Sequence, residues 1–302
     1  MFKFPALYLI AALCAILATP AQALPRTFVA SYGNDANPCD RDLPCRLFAK
    51  AMDVTDTNGE VVVLDSANFA PITITKSISL TAAPGVYAGI AVFQNDVSGV
   101  TINTPGVNVV LRGLTISGQG GFHGIYMGSG KLSIENCVIS NLPTGIFAGS
   151  GAVVRIIKTL VRDNLTGIHL QGEQGGVTAD ISRSKFLGNN RGISLRNVSA
   201  ATISDTIVTG GDIGIDVWSG FGFTSGTPRA SVIRSTISNH TTAGILASAI
   251  SGTASVTLSA NMMMGNAKGF DQSDNGTLMS RGNNTITDNG SNTGTLTPVA
   301  PI

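Results

Sequence analysis

The chain has 302 residues, a formal net charge of +1 and 12% charged residues, against about 25% in an average globular protein. This near-neutral balance, without a basic run, excludes the strong positive field on which nucleic-acid binding usually depends. Glycine is frequent and the polar remainder is mostly Ser, Thr and Asn, so the composition indicates β-structure rich in turns.

The first 23 residues have the pattern of a secretory signal peptide. Lys3 supplies the charged region, residues 6–17 form an apolar region too short to span a bilayer comfortably, and Ala21-Gln22-Ala23 fits a cleavage site. The alternative is an N-terminal membrane anchor. We predict an exported protein, periplasmic or extracellular, whose mature chain begins at Leu24 and has no membrane span.

Three cysteines remain after removal of this segment. In an exported protein, Cys39 and Cys45 are close enough in sequence to close a small disulfide loop. Just after them, Leu47, Phe48, Ala51 and Met52 lie on one side of a predicted short helix. We therefore expect residues 24–59 to form an N-terminal cap.

A Gly-Ile pair recurs through the second half of the chain, at a fixed distance from an apolar residue upstream. Twelve residues separate Ile134 from Ile146, Ile156 from Ile168, Ile181 from Ile193, Ile203 from Ile215, Ile233 from Ile245, and Leu258 from Phe270. All length variation falls outside this fixed part, which indicates a repeat architecture.

Within each repeat, inward apolar positions with a period of two residues come in three short groups, such as Leu132/Ile134, Cys137/Ile139 and Ile146/Ala148. Three short strands separated by turns form one coil of a solenoid, and stacked coils place like positions in ladders about 4.8 Å apart. We predict an all-β, right-handed parallel β-helix of about ten coils over residues 60–290, followed by a flexible tail, residues 291–302. Cys137 should be a packed thiol, in a column with Thr159, Ser184, Thr206 and Thr236.

The repeated pattern of the form I-x-N-C-x-I-x-N…G-I over residues 110–290, and the opening "TFVASYGNDANPCDRDLPCRLFAKAM" followed by "VVVLD", resemble the secreted pectate-lyase-like right-handed parallel β-helix proteins. The resemblance implies the fold over nearly the whole mature chain. That superfamily includes polysaccharide lyases, hydrolases, esterases and epimerases. Its pectin-hydrolysing signature is matched here only in part, by His123-Gly124.

Outward residues of neighbouring coils should build any functional site on such a solenoid. Two outward rows share one face; they are Tyr126, Phe147, His169, Ser194, Asp216, Leu246 and Asp271, and Gly128, Gly149, Gln171, Arg196, Trp218, Ser248 and Ser273. We predict that Tyr126, Phe147, Gln171 and Trp218 bind substrate, because aromatic rings suit sugar faces and Arg pairs with uronate carboxylates. The insertion at residues 219–229 should wall a cleft with Phe221 and Phe223, and Glu173 should lie at its rim.

The candidate catalytic residues are Asp216, Asp271, His169 and Arg196. Asp216 and Asp271 lie two coils apart, roughly 10 Å, near the upper end of the separation in inverting glycosidases, and His169 or Arg196 would be the base of a lyase. We expect no dedicated metal site, although "DQSDNG" at residues 271–276 matches the start of a calcium loop.

The sequence therefore favours an exported protein that binds, and in one version cleaves, polysaccharide. The alternative, from a different class, is a non-catalytic surface, structural or adhesion protein. The sequence names neither the glycan nor the reaction, and it indicates no oligomeric state.

Overall fold

The computed structural model describes residues 24–220 and 226–300. The predicted signal peptide, residues 1–23, lies outside the described residues, as do Phe221 and Phe223. Within the described residues the chain forms a parallel β-solenoid with a single helix, and the predicted all-β parallel β-helix is confirmed.

The helix α1 spans Phe48–Val54, and the strands follow in chain order. They are β1 (Leu24–Val29), β2 (Thr55–Val63), β3 (Ala67–Phe69), β4 (Ile72–Ile74), β5 (Ile78–Ala82), β6 (Ala88–Val92), β7 (Ser98–Ile102), β8 (Asn108–Arg112), β9 (Leu114–Gly118), β10 (His123–Met127), β11 (Gly130–Glu135), β12 (Val138–Ser140), β13 (Thr144–Ala148), β14 (Ala152–Ile157), β15 (Leu160–Arg162), β16 (Thr166–Ser182), β17 (Lys185–Leu187), β18 (Arg191–Ser204), β19 (Ile207–Thr209), β20 (Ile213–Ser219), β21 (Arg229–Ile233), β22 (Thr236–Ser238), β23 (Ala243–Ser259), β24 (Met262–Met264), β25 (Lys268–Ser280), β26 (Thr285–Thr287), β27 (Ser291–Thr293) and β28 (Leu296–Pro298).

The strands stack in three parallel ladders. Ladder 1 contains the Gly-Ile strands, such as β10, β13 and β20. Ladder 2 is a separate 10-stranded sheet that includes β9, β12 and β15. Ladder 3 includes β8, β11 and β14. The long strands β16, β18, β23 and β25 each run through ladders 1 and 3, so these two ladders join into one 18-stranded sheet.

The glycine of each Gly-Ile pair is required by close packing between coils. A Cβ atom on Gly124, Gly145, Gly167, Gly192, Gly214 or Gly244 would lie 2.5–2.7 Å from the carbonyl oxygen of the next glycine in the column. Real Cβ atoms do not approach backbone oxygen so closely, so only glycine allows this spacing. The column begins one coil before the first Gly-Ile pair, at Gly99, whose Cβ would lie 2.8 Å from the Gly124 oxygen.

Buried polar side chains line one corner of the coil and hold neighbouring turns together. Asn189 Oδ1 accepts hydrogen bonds from the backbone N–H and the side-chain amide of Asn164, and Asn266 repeats this arrangement with Asn289. His240 occupies the same position, where its Nε2 lies 3.3 Å from the Val208 carbonyl oxygen. Each of these groups gives a buried backbone atom a partner, which stabilises the corner.

The predicted spacing of twelve residues fails in one coil. Ile203 pairs with Val232 rather than Ile233, and Val232 is fully buried, so 13 residues separate Val232 from Ile245. The extra residue lies in the turn after His240, where the N–H groups of Thr242 and Ala243 both donate to the Asp212 carbonyl. For the same reason, Ser235 and not Thr236 continues the column of small inward residues: the Thr206 N–H donates to Ser235 Oγ.

Within residues 24–59, the helix α1 packs against β1, β2 and β4, and β1 pairs in parallel with β2. The Cys39–Cys45 disulfide is present, and α1 buries Phe48, Ala51 and Met52, with the Phe48 ring 4.8 Å from that of Phe69. Cys137 is buried as predicted, and burial raises the pKa of its thiol to about 11, so the unreactive thiol form persists at neutral pH.

At the other end, residues 291–300, predicted as part of a flexible tail, contain the strands β27 and β28, which extend the stack. In the described residues, no helix combines the length and apolar character that crossing a bilayer would require.

Candidate functional site

The two predicted rows lie side by side along ladder 1. In the first row, consecutive residues pair across neighbouring strands from Tyr126 through Phe147, His169, Ser194, Asp216 and Leu246 to Asp271. In the second row, Gln171, Arg196, Trp218, Ser248 and Ser273 pair in the same way. The structure therefore brings the predicted site residues onto one surface.

Aromatic rings form a continuous run at one end of this surface. Tyr126 and Phe147 stack with their centroids 5.3 Å apart and only 2° between their planes, and Phe147 lies 5.6 Å from the His169 ring. His123 packs 5.5 Å from both Tyr126 and Phe147, and Phe122 contacts it edge-on at 4.3 Å. We call the surface formed by Phe122, His123, Tyr126, Phe147, His169, Arg196 and Trp218 the aromatic face.

An open recess of about 590 Å³ adjoins this run of rings. Thr73 and Thr101 precede Tyr126 in the same row and are small, and all three side chains line the recess. The remaining walls are formed by Asp96, Ser98, Phe122 and His123 together with Pro71, Ile72 and Val97. The recess thus combines an aromatic wall with hydroxyl and carboxylate groups, as ligand sites commonly do.

His123 is the imidazole nearest to the recess. Its Nδ1 lies 3.3 Å from the hydroxyl oxygen of Ser98, the residue opposite it in β7. Burial lowers the pKa of His123, because the charged ring would lose hydration among its aromatic neighbours. The imidazole is therefore neutral at pH 7.

The other end of the aromatic face is ionic and partly closed. Asp216 was expected to be accessible, but only 2% of its surface is exposed. Its Oδ2 contacts the guanidinium groups of Arg196 and Arg191, the latter at 3.1 Å. Asp216 therefore lies in the predicted row but is shielded from solvent, with both arginines in contact with its carboxylate.

Three consecutive residues of the first row each leave one buried polar atom without a hydrogen-bond partner among the described residues. These atoms are His169 Nε2, Ser194 Oγ and Asp216 Oδ1. Burial, followed by the positive charge of Arg196, lowers the pKa of His169 to about 4. At neutral pH this imidazole is uncharged, and its buried Nε2 is out of reach of a bulky substrate.

Trp218 packs closely against its surroundings and is not an open platform. The Arg196 guanidinium carbon lies 5.5 Å from the centroid of the Trp218 ring, a cation–π contact. On another side, a Cβ at Gly220 would lie 1.8 Å from the indole, so glycine there makes room for the ring. Ser219 Oγ donates to the Gly226 carbonyl at 3.0 Å, which closes the neck of the predicted cleft loop.

The remaining predicted residues lie toward the edges of this surface. The Asp271 carboxylate contacts Lys268 Nζ at 2.7 Å, two rungs from Asp216. Asp274 accepts a hydrogen bond from Ser248, so the "DQSDNG" carboxylates face different partners. Gln171 Nε2 lies 3.5 Å from Oε1 of the exposed Glu173. The cleft at whose rim Glu173 was expected stays a prediction, because Phe221 and Phe223 lie outside the described residues.

Sequence reasoning missed Ser98, Asp96 and Phe122 as part of the site, as well as Arg191. The signal for Ser98 was Gly99, which extends the glycine column but is followed by Val100 instead of isoleucine. Arg191 directly precedes Gly192, a position that the two chosen rows did not include. Neither residue belongs to the repeating Gly-Ile signature itself.

The described residues contain no group of three or more His, Cys, Asp or Glu side chains placed to hold a metal ion. The three histidines are separated: His123 and His169 lie on ladder 1, and His240 lies in a buried corner next to ladder 2. Cys39 and Cys45 are joined to each other, and Cys137 is buried.

The fold and this surface define a parallel β-solenoid protein with an aromatic face along one ladder. Residues 94–289 match the family described as "NosD: Periplasmic copper-binding protein (NosD)", which covers more than half of the chain. The chain therefore belongs to the NosD family.

Two solved structures share the fold. The pectate lyase Pel9A is similar with a TM-score of 0.63 and 16% identity, over 91% of this chain and 77% of that one. XylC, solved in complex with xylose, is similar with a TM-score of 0.55 and 9% identity, over 87% of this chain and 70% of that one. No curated protein matches the sequence.

Proposed function

We propose that this chain is an exported β-helix protein that binds polysaccharide along the aromatic face, with the recess beside Tyr126 as its main sugar site. The observation that carries this proposal is that Tyr126, whose ring stacks on Phe147, lines the recess. A sugar ring packs its C–H face on such a surface, and Asp96, Thr73 and Thr101 would accept hydrogen bonds from its hydroxyl groups.

The aromatic face runs along the solenoid axis, which suits an extended polysaccharide. Four rungs separate Tyr126 from Asp216, a distance of about 19 Å along the solenoid axis. At the far end, the half-exposed Arg191 side chain offers a guanidinium group to an acidic sugar. A polysaccharide lying along the row would therefore contact the recess, the aromatic rings and the arginine pair in turn.

The geometry favours binding over glycoside hydrolysis by Asp216 and Asp271. Asp216 is buried under two arginines and Asp271 is paired with Lys268, so neither carboxylate is free to meet a glycosidic bond in this conformation. The alternative roles of His169 and Arg196 as bases meet the same difficulty, because His169 Nε2 is buried and Arg196 is engaged with Asp216. We retain these four residues as positioning groups, with His169 and Arg196 in the aromatic face and Asp216 and Asp271 in the same row or beside it.

The family description names copper, but the described histidine and cysteine side chains of this chain do not converge on one point. Copper sites in proteins need several His, Cys or Met ligands converging on one point. Here the histidines are dispersed, two cysteines are bonded to each other, and the third is buried as a thiol. We therefore propose no copper site built from histidine or cysteine within the described residues.

Export is supported by the same description, which places the family in the periplasm, and by the signal-like pattern at the N-terminus. A disulfide between Cys39 and Cys45 suits an oxidising compartment. Periplasmic or extracellular location is thus part of the proposal.

The test is calorimetric titration of residues 24–302 with pectic, alginate-like and neutral polysaccharides. Tyr126→Ala should weaken the binding of the preferred glycan about tenfold, the loss expected for one aromatic contact, and Tyr126→Phe should retain it. A matched control is Val153→Ala, an exposed change on ladder 3.

Two results would argue against the proposal. Equal affinities of Tyr126→Ala and the unaltered protein would remove the recess from the binding site. A lack of response to every glycan by folded protein, together with self-association, would favour the surface or adhesion role instead.

A further inference from the structure

Ser98 and His123 are neighbours on adjacent strands of ladder 1, and both line the recess. Their strands β7 and β10 pair these two residues directly, and Ser98 Oγ lies 3.3 Å from His123 Nδ1. Both side chains line the recess. A hydroxyl within reach of an imidazole is the arrangement that activates a serine nucleophile, and such contacts are often somewhat long before substrate binds.

The imidazole is held in place on several sides. The rings of Phe122, Tyr126 and Phe147 lie 4.3–5.5 Å from it and restrict its rotation. Because burial lowers the pKa of His123, the ring is neutral at pH 7 and its Nδ1 can accept the Ser98 proton in the tautomer protonated at Nε2. The recess also leaves open space beside this pair.

We propose that Ser98 and His123 form a nucleophile–base pair that hydrolyses acyl esters bound in the recess. Ser98 Oγ attacks the ester carbonyl carbon and its proton passes to His123 Nδ1. The bond from carbonyl carbon to alkoxy oxygen breaks, and the departing alkoxide takes the proton from His123. Water then attacks the Ser98 ester with His123 as base, which releases the carboxylic acid and restores the serine.

The substrate class follows from the walls of the recess. A sugar ring stacked on Tyr126 would place its substituents within reach of Ser98, which lines the same recess. The natural substrate would then be a polysaccharide carrying small acyl groups, such as acetyl esters. This assignment of the natural substrate rests on the proposed glycan binding, whereas the reactivity of the Ser98–His123 pair does not.

The first experiment therefore uses a substrate without sugar. Residues 24–302 are incubated with p-nitrophenyl acetate and, separately, with a fluorophosphonate that labels activated serines, and the labelled peptide is identified by mass spectrometry. We expect ester hydrolysis and a label on Ser98. Ser98→Ala should abolish both, and His123→Phe, which keeps an aromatic ring in the packing, should lower kcat/KM at least about 100-fold.

Ser231→Ala is the matched control, since Ser231 is a partly exposed strand serine on ladder 3, away from the recess. Labelling elsewhere than Ser98, or equal hydrolysis by Ser98→Ala and the unaltered protein, would overturn the proposal. Release of acetate from acetylated xylan or pectin then tests the substrate class. Aryl ester hydrolysis without glycan binding would refute the proposed function alone, and glycan binding without Ser98 reactivity would refute the esterase alone.

Discussion

His169 shows how a side chain that points away from the solenoid core can still be shielded from water. It stands beside Phe147 in its row, and its Nε2 is buried without a partner among the described residues. The side chains around it are Arg196, Asp216, Gln171 and His123, of which Arg196 opposes and Asp216 favours protonation. Burial and the positive charge of Arg196 together outweigh the Gln171 hydrogen bond and the negative charge of Asp216, so the ring stays neutral.

Acid should therefore destabilise the fold through His169. Its pKa in the folded chain is about 4, below the ordinary value of 6.5, so between these values the unfolded chain binds more protons and the free energy of unfolding falls as pH falls. We expect a loss on the order of 2 kcal/mol from this residue between pH 7 and pH 4, measured by urea unfolding.

His169→Gln should reduce this pH dependence without removing it. His123 and His240 also have lowered pKa values from burial, so they contribute with the same sign. An identical pH dependence in the variant and the unaltered chain would show that His169 is solvated in solution.

The two rows of the candidate surface were predictable from the sequence, but the residues beside them, such as Phe122 and Ser98, and the chemistry of the site were not. Row membership follows from the repeat, because each Gly-Ile pair fixes the register of the residue after it. The burial of Asp216 depends on Arg191 and Arg196, which reach it from the neighbouring coil with long, flexible side chains. Neither such contacts nor the recess formed by the small residues Thr73 and Thr101 leaves a periodic signal.

Among the strands, the glycine column determines how closely neighbouring coils of ladder 1 approach. Gly192→Ala should destabilise the chain by about 1–3 kcal/mol, because a methyl group 2.5 Å from the Gly214 oxygen must push the coils apart. The measurement is the midpoint and free energy of urea unfolding.

Gly149→Ala provides the matched control. A Cβ at Gly149 would meet its nearest atom at 3.4 Å, an ordinary contact, and this glycine does not have a left-handed backbone. Comparable losses in the two variants would mean that the close contact with the Gly214 oxygen is not what makes Gly192→Ala destabilising.

The order and inward faces of the strands were also predictable, since period-2 apolar positions and a constant spacing encode them directly. The exception is the coil that contains Val232 and Ile233. At Val232 and Ile233 two adjacent apolar residues both suit the inward position, and the left-handed corner residue decides between them: Arg234 (φ 47°) takes the place that Asp205 (φ 49°) has in the previous coil. The backbone conformation of a turn residue cannot be read from the pattern of apolar residues in the sequence.

At the scale of the whole molecule, the distance between the recess and Trp218 determines how long a bound oligosaccharide must be to contact both. A short oligosaccharide bound at Tyr126 should leave the fluorescence of the single Trp unchanged, because four rungs, about 19 Å, separate Tyr126 from Asp216 beside it. Longer oligosaccharides should change the emission once they reach the Arg196–Trp218 contact. Fluorescence titration with a size series, alongside calorimetry, measures both.

A fluorescence change with the shortest oligosaccharide that binds would contradict this arrangement. Trp218→Phe should abolish the optical response while calorimetric affinity for short oligosaccharides remains the same, since Trp218 does not line the recess.

Because neighbouring rungs stack in register, the distance between two sites on the solenoid can change only in steps of one whole coil. Removal of residues 146–167 would join Gly145 to Ile168, preserve a Gly-Ile pair, and bring His169 next to Tyr126 in the row. The distance between the recess and the arginine pair would then be shorter by one coil, about 4.8 Å. The length of ligand that reaches both the recess and the arginine pair can thus change when such a chain gains or loses whole coils, while the residues at either end stay the same.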